Sequence, residues 1–232
     1  MSEKMLGVLQ LENEPVNIPG TFASPETFQF PVKRLTVPGA WARKLVDGDL
    51  SLKDSYISCA RQLESEGVAA ITTNCGMSAL FQEDIAAAVS IPVAVSSLLM
   101  VPVVARTMPK GRKVGVLTYD ADKLTERHFV GAGWSPENFP VAIAGIEGSE
   151  SWRRLADPAP AVTPDLLIGD VLVAVKTLLQ RAPSVGALVF ECTGFPVASE
   201  TVRRETGLLV ADSVSLAKSL VEMSPRRVLD RG

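Results

Sequence analysis

The chain has 232 residues, enough for one large domain or two small lobes with a substantial core. Its 47% apolar and 21% charged residues are those of an ordinary globule, and a net charge of −3 offers no basic face to nucleic acid or an anionic membrane. The longest apolar run, residues 91–105, is broken by Pro92 and Pro102 and is too short to span a bilayer comfortably. No secretory signal is read after Met1, and three cysteines without disulfide-like spacing point to a reducing compartment, so a cytoplasmic protein is expected.

In chain order, residues 5–11 read as a buried strand. Residues 12–39 follow, rich in Pro, Gly and Thr and too long for a plain connection, which marks a functional loop. A helix is expected over about 51–66, where Ile57, Ala60 and Leu63 recur at helical spacing and Gly67 ends the run. Next come a strand over 68–73, a helix over 78–89 and a strand over 91–95 entered through Pro92. A second series opens at Gly111: strand 114–118, helix 122–130, strand 140–146, then a loop with at most a short helix over 147–163. Pro164 is well placed to start a helix over 165–180. Strand 185–191, helix 197–206, strand 208–212 and a terminal helix from residue 214 complete the chain. Alternating strands and helices imply parallel sheets.

Two segments stand out within this series, Ile71-Thr-Thr-Asn-Cys-Gly-Met around Cys75 and Leu188-Val-Phe-Glu-Cys-Thr-Gly around Cys192. Each places a thiol where a strand ends and a helix begins, the sheet edge at which α/β folds bind ligands. Backbone N–H groups and the positive helix end gather there, favouring an anion and lowering a thiol's pKa. Sliding the chain by 117 residues lays residues 68–99 over 185–216 without a gap, and eight of the 32 pairs are identical, Cys75/Cys192 among them. A second echo, at an offset of 108, sets Gly7-Val-Leu over Gly115-Val-Leu. The chain reads as two copies of one α/β unit.

Through the paired cysteine segments, the Gly115-Val-Leu-Thr strand and the repeat, the chain resembles the aspartate/glutamate/hydantoin racemase superfamily over nearly its whole length. The resemblance implies two lobes related by a pseudo-twofold axis, each a parallel sheet of about four strands flanked by helices. Residues 1–98 plus 212–232 would form the first lobe and 99–211 the second, with the active-site cleft between them and the C-terminal helix packed back on the first. It further implies that one cysteine from each lobe flanks the substrate's α-carbon and that neither cofactor nor metal takes part. The chain looks closest to a branch with Ile18-Pro19-Gly20 in the first loop and Glu191-Cys192-Thr193 at the second thiol. It departs from glutamate racemases in three places: Gln10-Leu-Glu-Asn replaces Asp-Ser, Gly76-Met77 replace Asn-Thr, and Gly194 replaces His. Free glutamate or aspartate is therefore disfavoured as substrate. Arylmalonate decarboxylases keep only the second cysteine, so Cys75 argues against their chemistry, whereas hydantoin racemases and maleate isomerases keep both.

Two thiols suit the inversion of a carbon next to a carboxylate or carbonyl: one takes a proton from one face and the other returns one to the opposite face. Enolate-like oxygens then need fixed donors. The candidates are the backbone N–H groups of Gly76, Met77, Thr193 and Gly194 and the side chains of Asn74, Thr118 and Thr193, with Tyr119 ranked below them. Cys59 reads as a core residue. Glu191 is expected to point away from the cleft as a structural residue, and the only histidine, His128, to lie on the surface. Phosphatase and nucleophile-elbow spacings fail around every cysteine, and one His without Cys-x-x-Cys makes structural zinc improbable. The reading is a cofactor-independent racemase or epimerase acting on a small amino acid or related carboxylate or carbonyl compound. The alternatives are a maleate-isomerase-like cis–trans isomerase and a two-lobed binding or sensor protein for a small carboxylate. Substrate identity, the role of residues 12–39 and homo-oligomer formation stay open at this level. Replacing either Cys75 or Cys192 with Ala is expected to abolish racemisation while Cys59→Ala leaves it nearly intact, as followed by chiral chromatography.

Overall fold

The apolar runs resolve into two parallel sheets in a computed structural model, which describes residues 4–225. The first sheet contains β1 (Leu6–Gln10), β2 (Val32–Thr36) and β3 (Ala70–Thr73) in the order β2-β1-β3. The second contains β4 (Lys113–Thr118), β5 (Val141–Gly145), β6 (Val185–Phe190) and β7 (Leu209–Ala211) in the order β5-β4-β6-β7. In the first half the helices are α1 (Ala42–Val46), α2 (Lys53–Ser65), α3 (Gln82–Ala88) and α4 (Val101–Thr107). In the second they are α5 (Glu126–Gly131), α6 (Glu150–Leu155), α7 (Pro164–Arg181), α8 (Pro196–Thr206) and α9 (Ser213–Met223). Every strand pair is parallel, so all strands of a sheet deliver their carboxyl ends to one edge.

Three departures from the sequence reading have local causes. Strand β2 lies inside the stretch read as loop, where Lys33 and Arg34 hide the β pattern of an edge strand. The first sheet has three strands, because the expected fourth is reduced to a single bridge between Ile71 and Val93. Pro92 has no N–H to donate there, and on the edge facing away from β3 the Gln82 side chain covers the segment, donating to Val93 O (3.0 Å) and accepting from Val95 N–H (2.9 Å). The helix expected over 78–89 begins as a 3-10 segment, Gly76–Phe81, and becomes α-helical only from Gln82. Pro164 does open α7, with the Thr163 hydroxyl capping it.

One apolar cluster spans both sheets through Leu9, Ile71, Val116 and Val189. A second lies under α7 and α8, and a third joins Leu6, Val8 and Ala70 of the first sheet to Ala217 and Val221 of α9. Helix α9 thus packs against the first sheet, with Lys4 Nζ donating to its Val221 carbonyl (3.0 Å). Helix α5 approaches the 3-10 segment after Cys75 so closely that a Cβ on Gly131 would lie 2.2 Å from Ala79 O. Backbone cannot yield as a flexible side chain can. Gly131→Ala is therefore expected to cost about 1–3 kcal/mol, read as a lower urea midpoint at unchanged slope.

Candidate functional site

Each thiol sits on a turn built the same way. After β3, Ser78 N–H donates back to Cys75 O at 3.1 Å; after β6, Phe195 N–H donates back to Cys192 O, also at 3.1 Å. Thr73 Oγ1 braces the first turn, 2.8 Å from both Cys75 O and Val95 O. The two turns are joined directly, since the Thr193 hydroxyl donates to Asn74 O at 2.6 Å. Between them opens a cavity of about 350 Å³ that both Cys75 and Cys192 line. The long first loop closes one side of it. Asn13 is held by Ala42 N–H (2.7 Å) and donates to Asp157 O (3.1 Å), while Phe22 N–H donates to Thr193 O (3.1 Å). Tyr119 and Trp152, stacked at 6.0 Å, add an aromatic wall.

Glu191 also lines this cavity, although it is only 1% exposed. Strand β6 stops at Phe190, so in-and-out alternation no longer governs the next residues, and the expectation that Glu191 points away from the cleft fails. The Thr118 hydroxyl donates to Glu191 Oε2 at 2.7 Å, and Tyr119 N–H donates to the same carboxylate. Its other oxygen rests over Gly76, where a Cβ would lie 2.3 Å away. Burial pushes the Glu191 carboxyl up to about 7 against these hydrogen bonds.

The thiols are raised rather than lowered, contrary to the sequence expectation. Desolvation, then the charge of Glu191, pushes Cys75 up to about 12, although Met77 and Ser78 N–H groups oppose this. The same two causes raise Cys192 against the N–H groups of Gly194 and Phe195. The helix-end donors are present as expected, but several of them address the sulfurs, and desolvation outweighs them.

No protein-family model matches the chain. In sequence it is 28% identical over 217 residues to a dimethylsulfoniopropionate lyase of Durusdinium sp. clade D, covering 90% of this chain and 71% of that protein. It is also 28% identical over 228 residues to dimethylsulfoniopropionate lyase 3 of Emiliania huxleyi (strain CCMP1516), covering 93% of this chain and 58% of that one. The chain thus spans well under two thirds of the length of some of the curated relatives it matches. Among solved structures, a glycine-to-cysteine mutant of arylmalonate decarboxylase in its sulfate-associated form matches at a TM-score of 0.63 with 16% identity, over 95% of this chain and 94% of that one. Aspartate racemase of Picrophilus torridus matches at 0.55 with 14% identity, over 97% and 96%. A mutant maleate cis-trans isomerase of Nocardia farcinica matches at 0.58 with 13% identity, over 94% and 91%.

The chain has the fold of the aspartate/glutamate racemase superfamily. On this racemase-type scaffold, Asn74, Cys75, Gly76, Met77, Tyr119, Cys192, Thr193 and Gly194 all line the one cavity. Thr118 does not; it is wholly buried behind Glu191 and spends its hydroxyl there. Asn74 Oδ1 accepts from Leu11 N–H (2.9 Å), and the Tyr119 hydroxyl donates to Trp152 O (2.8 Å). His128 is buried, not on the surface, because its Nδ1 accepts from Thr125 N–H in a capping box at the start of α5. Cys59 lies in the core on α2 as expected. Asn13, Arg43, Lys123, Trp152 and Glu191 were missed as lining residues; only the length of the first loop pointed toward any of them. Among the described residues no cluster of three or more His, Cys, Asp or Glu is placed to hold a metal ion, and no helix is long and apolar enough to cross a membrane.

The Glu191 shift carries a sign for stability. Its ordinary value is 4.5 and its folded value about 7, so between these the folded chain holds a proton that the unfolded chain releases. That contribution is complete at low pH and is lost as pH rises toward 7 and beyond. The stability of E191Q relative to the wild type is expected to rise from pH 5 to pH 8, as read from urea melts at each pH.

Proposed function

We propose that this chain is a cofactor-free enzyme that takes the α-proton of a small carboxylate, with Cys75 and Cys192 as base and acid. The supporting observation is that two thiols on equivalent turns, one after each sheet, line one cavity. A thiolate at one sulfur takes the α-proton and becomes a thiol, and the neutral thiol of the other can return a proton to the opposite face of the same carbon and become a thiolate. The Gly76 and Thr193 backbone N–H groups and the Asn74 side-chain amide favour a carboxylate and the charge that grows on it during deprotonation, whereas the Thr193 hydroxyl is already given to Asn74 O. Racemisation or epimerisation is the outcome that uses both thiols.

A second outcome of the same step is β-elimination, in which the carbanion expels a group from the neighbouring carbon. The stacked Tyr119 and Trp152, with Asp120 and Glu14 on the cavity wall, suit a substrate that is cationic at the end remote from its carboxylate. The curated relatives are named for dimethylsulfoniopropionate, a molecule with a carboxylate at one end and a sulfonium at the other. Loss of its α-proton and C–S bond would give acrylate and dimethyl sulfide.

One experiment tests the shared step and separates the outcomes. The chain is incubated in deuterated water with chiral amino acids, hydantoins, 2-substituted acids and dimethylsulfoniopropionate, and followed by NMR. Deuterium entering at the α-carbon with loss of optical purity is the expected result for racemisation; dimethyl sulfide and acrylate appear instead for elimination. No α-exchange and no elimination across the panel would overturn the proposal.

A further inference from the structure

The thiol pair leaves one problem unsolved and one group unused. Proton abstraction needs a thiolate, yet desolvation in the cavity raises both thiols and so opposes one. Glu191 is a buried carboxyl in the same cavity, and no ion pair among the described residues neutralises it. Its position is fixed at both oxygens. Oε2 takes the Thr118 hydroxyl at 2.7 Å, and Oε1 lies over Gly76, the residue that follows Cys75. Its backbone leads directly into the turn that bears the second thiol, Cys192. The carboxyl therefore stands where the two thiol-bearing turns meet, and its charge acts on both sulfurs.

We propose, resting on the α-proton reading above, that Glu191 is the proton partner of the thiol pair, accepting the proton that one thiol gives up when substrate enters the cavity. In this step an S–H bond breaks and a carboxyl O–H bond forms, converting thiol and carboxylate to thiolate and carboxylic acid. No proton leaves the site and no net charge is added to it. Once Glu191 is neutral it no longer repels the thiolate, and the Met77 and Ser78 or Gly194 and Phe195 N–H groups can stabilise it. The reverse transfer resets the site after product leaves.

The titratable groups around this carboxyl are Cys75 from the β3 side, Tyr119 from the β4 side and Cys192 on its own segment. Tyr119, itself pushed up to about 12 by desolvation and then by Cys192, stays neutral and contributes only its N–H. The charged cavity groups Glu14, Arg43, Asp47, Asp120 and Lys123 line the wall, with Lys123 paired to Asp47 at 2.7 Å.

E191Q keeps the size of the side chain and an oxygen for Thr118 while removing the proton site. Two readouts follow in wild type, E191Q and E191D: iodoacetamide alkylation of Cys75 and Cys192 against pH by mass spectrometry, and α-proton exchange with a substrate found in the NMR panel. In E191Q the alkylation inflection of at least one of these thiols should move down by a pH unit or more, making labelling at pH 8 about tenfold faster. Its exchange rate at pH 7 should fall by about 10² or more and recover only as pH is raised. E191D, which keeps the carboxyl, should restore the acid limb of the exchange profile at a reduced rate. Faster labelling with slower exchange is a combination that mere loosening does not give, provided Cys59 labelling stays unchanged. An unshifted thiol titration in E191Q, or exchange at pH 7 equal to wild type, overturns the proposal. If wild type exchanges no substrate, the α-proton reading falls, while the alkylation arm still decides whether Glu191 and the thiols share a proton.

Discussion

The hydroxyl of Thr193 reaches across 2.6 Å to the carbonyl of Asn74, joining the residue after one thiol to the residue before the other. Without it, two sheets on separate halves of the chain would have no direct bond between the turns that matter. It does not act alone. The Ser97 hydroxyl donates to Phe190 O at 2.6 Å, on the strand that leads into Glu191, and Phe22 N–H fixes Thr193 from the first loop. Each such bond contributes only about 1 kcal/mol net, but breaking one would strand a part-buried polar group at a larger cost. Cysteines 117 positions apart in the chain are thereby held on one cavity before any ligand arrives.

The same geometry sets opposing electrostatic demands. A desolvated cavity strengthens every dipole aimed into it and penalises every charge left without a partner. The sulfurs receive N–H groups from the turns behind them, yet they share the cavity with a carboxyl that carries its own hydrogen bonds. Only one negative charge sits comfortably among these three groups. A substrate carboxylate adds another, so its arrival must alter where the existing protons reside. This sensitivity of the site to an incoming anion follows from burial and from the Glu191 charge.

The architecture was legible because it repeats. An echo of eight identities, strands bounded by glycines, and Pro164 at a helix start are local signals that tertiary packing did not overrule. Most of what sequence reasoning missed was decided by neighbouring elements. Lys33 and Arg34 disguise a strand because β2 is an edge. Pro92, with no N–H for the ladder, leaves the expected fourth strand a single bridge to Ile71, and the Gln82 side chain covers its outer edge. His128 goes inside because Thr125 and the helix end use its ring. Thr118 was identified as polar and adjacent to the cleft, but Glu191 stands between it and the cavity. Glu191 itself was misread because strand alternation was carried one residue past the end of β6.

Gly76 and Glu191 occupy one volume. A Cβ at position 76 would fall 2.2 Å from the Glu191 carbonyl oxygen and 2.3 Å from its carboxylate, and a larger side chain would meet the same obstruction. The glycine after the first thiol, where glutamate racemases place asparagine, is thus the steric counterpart of an acid before the second. Trimming the acid alone would not open position 76, because the backbone carbonyl of residue 191 would still block it; a side chain there requires the two turns themselves to move apart, so the glycine sets how closely the two halves of the site approach.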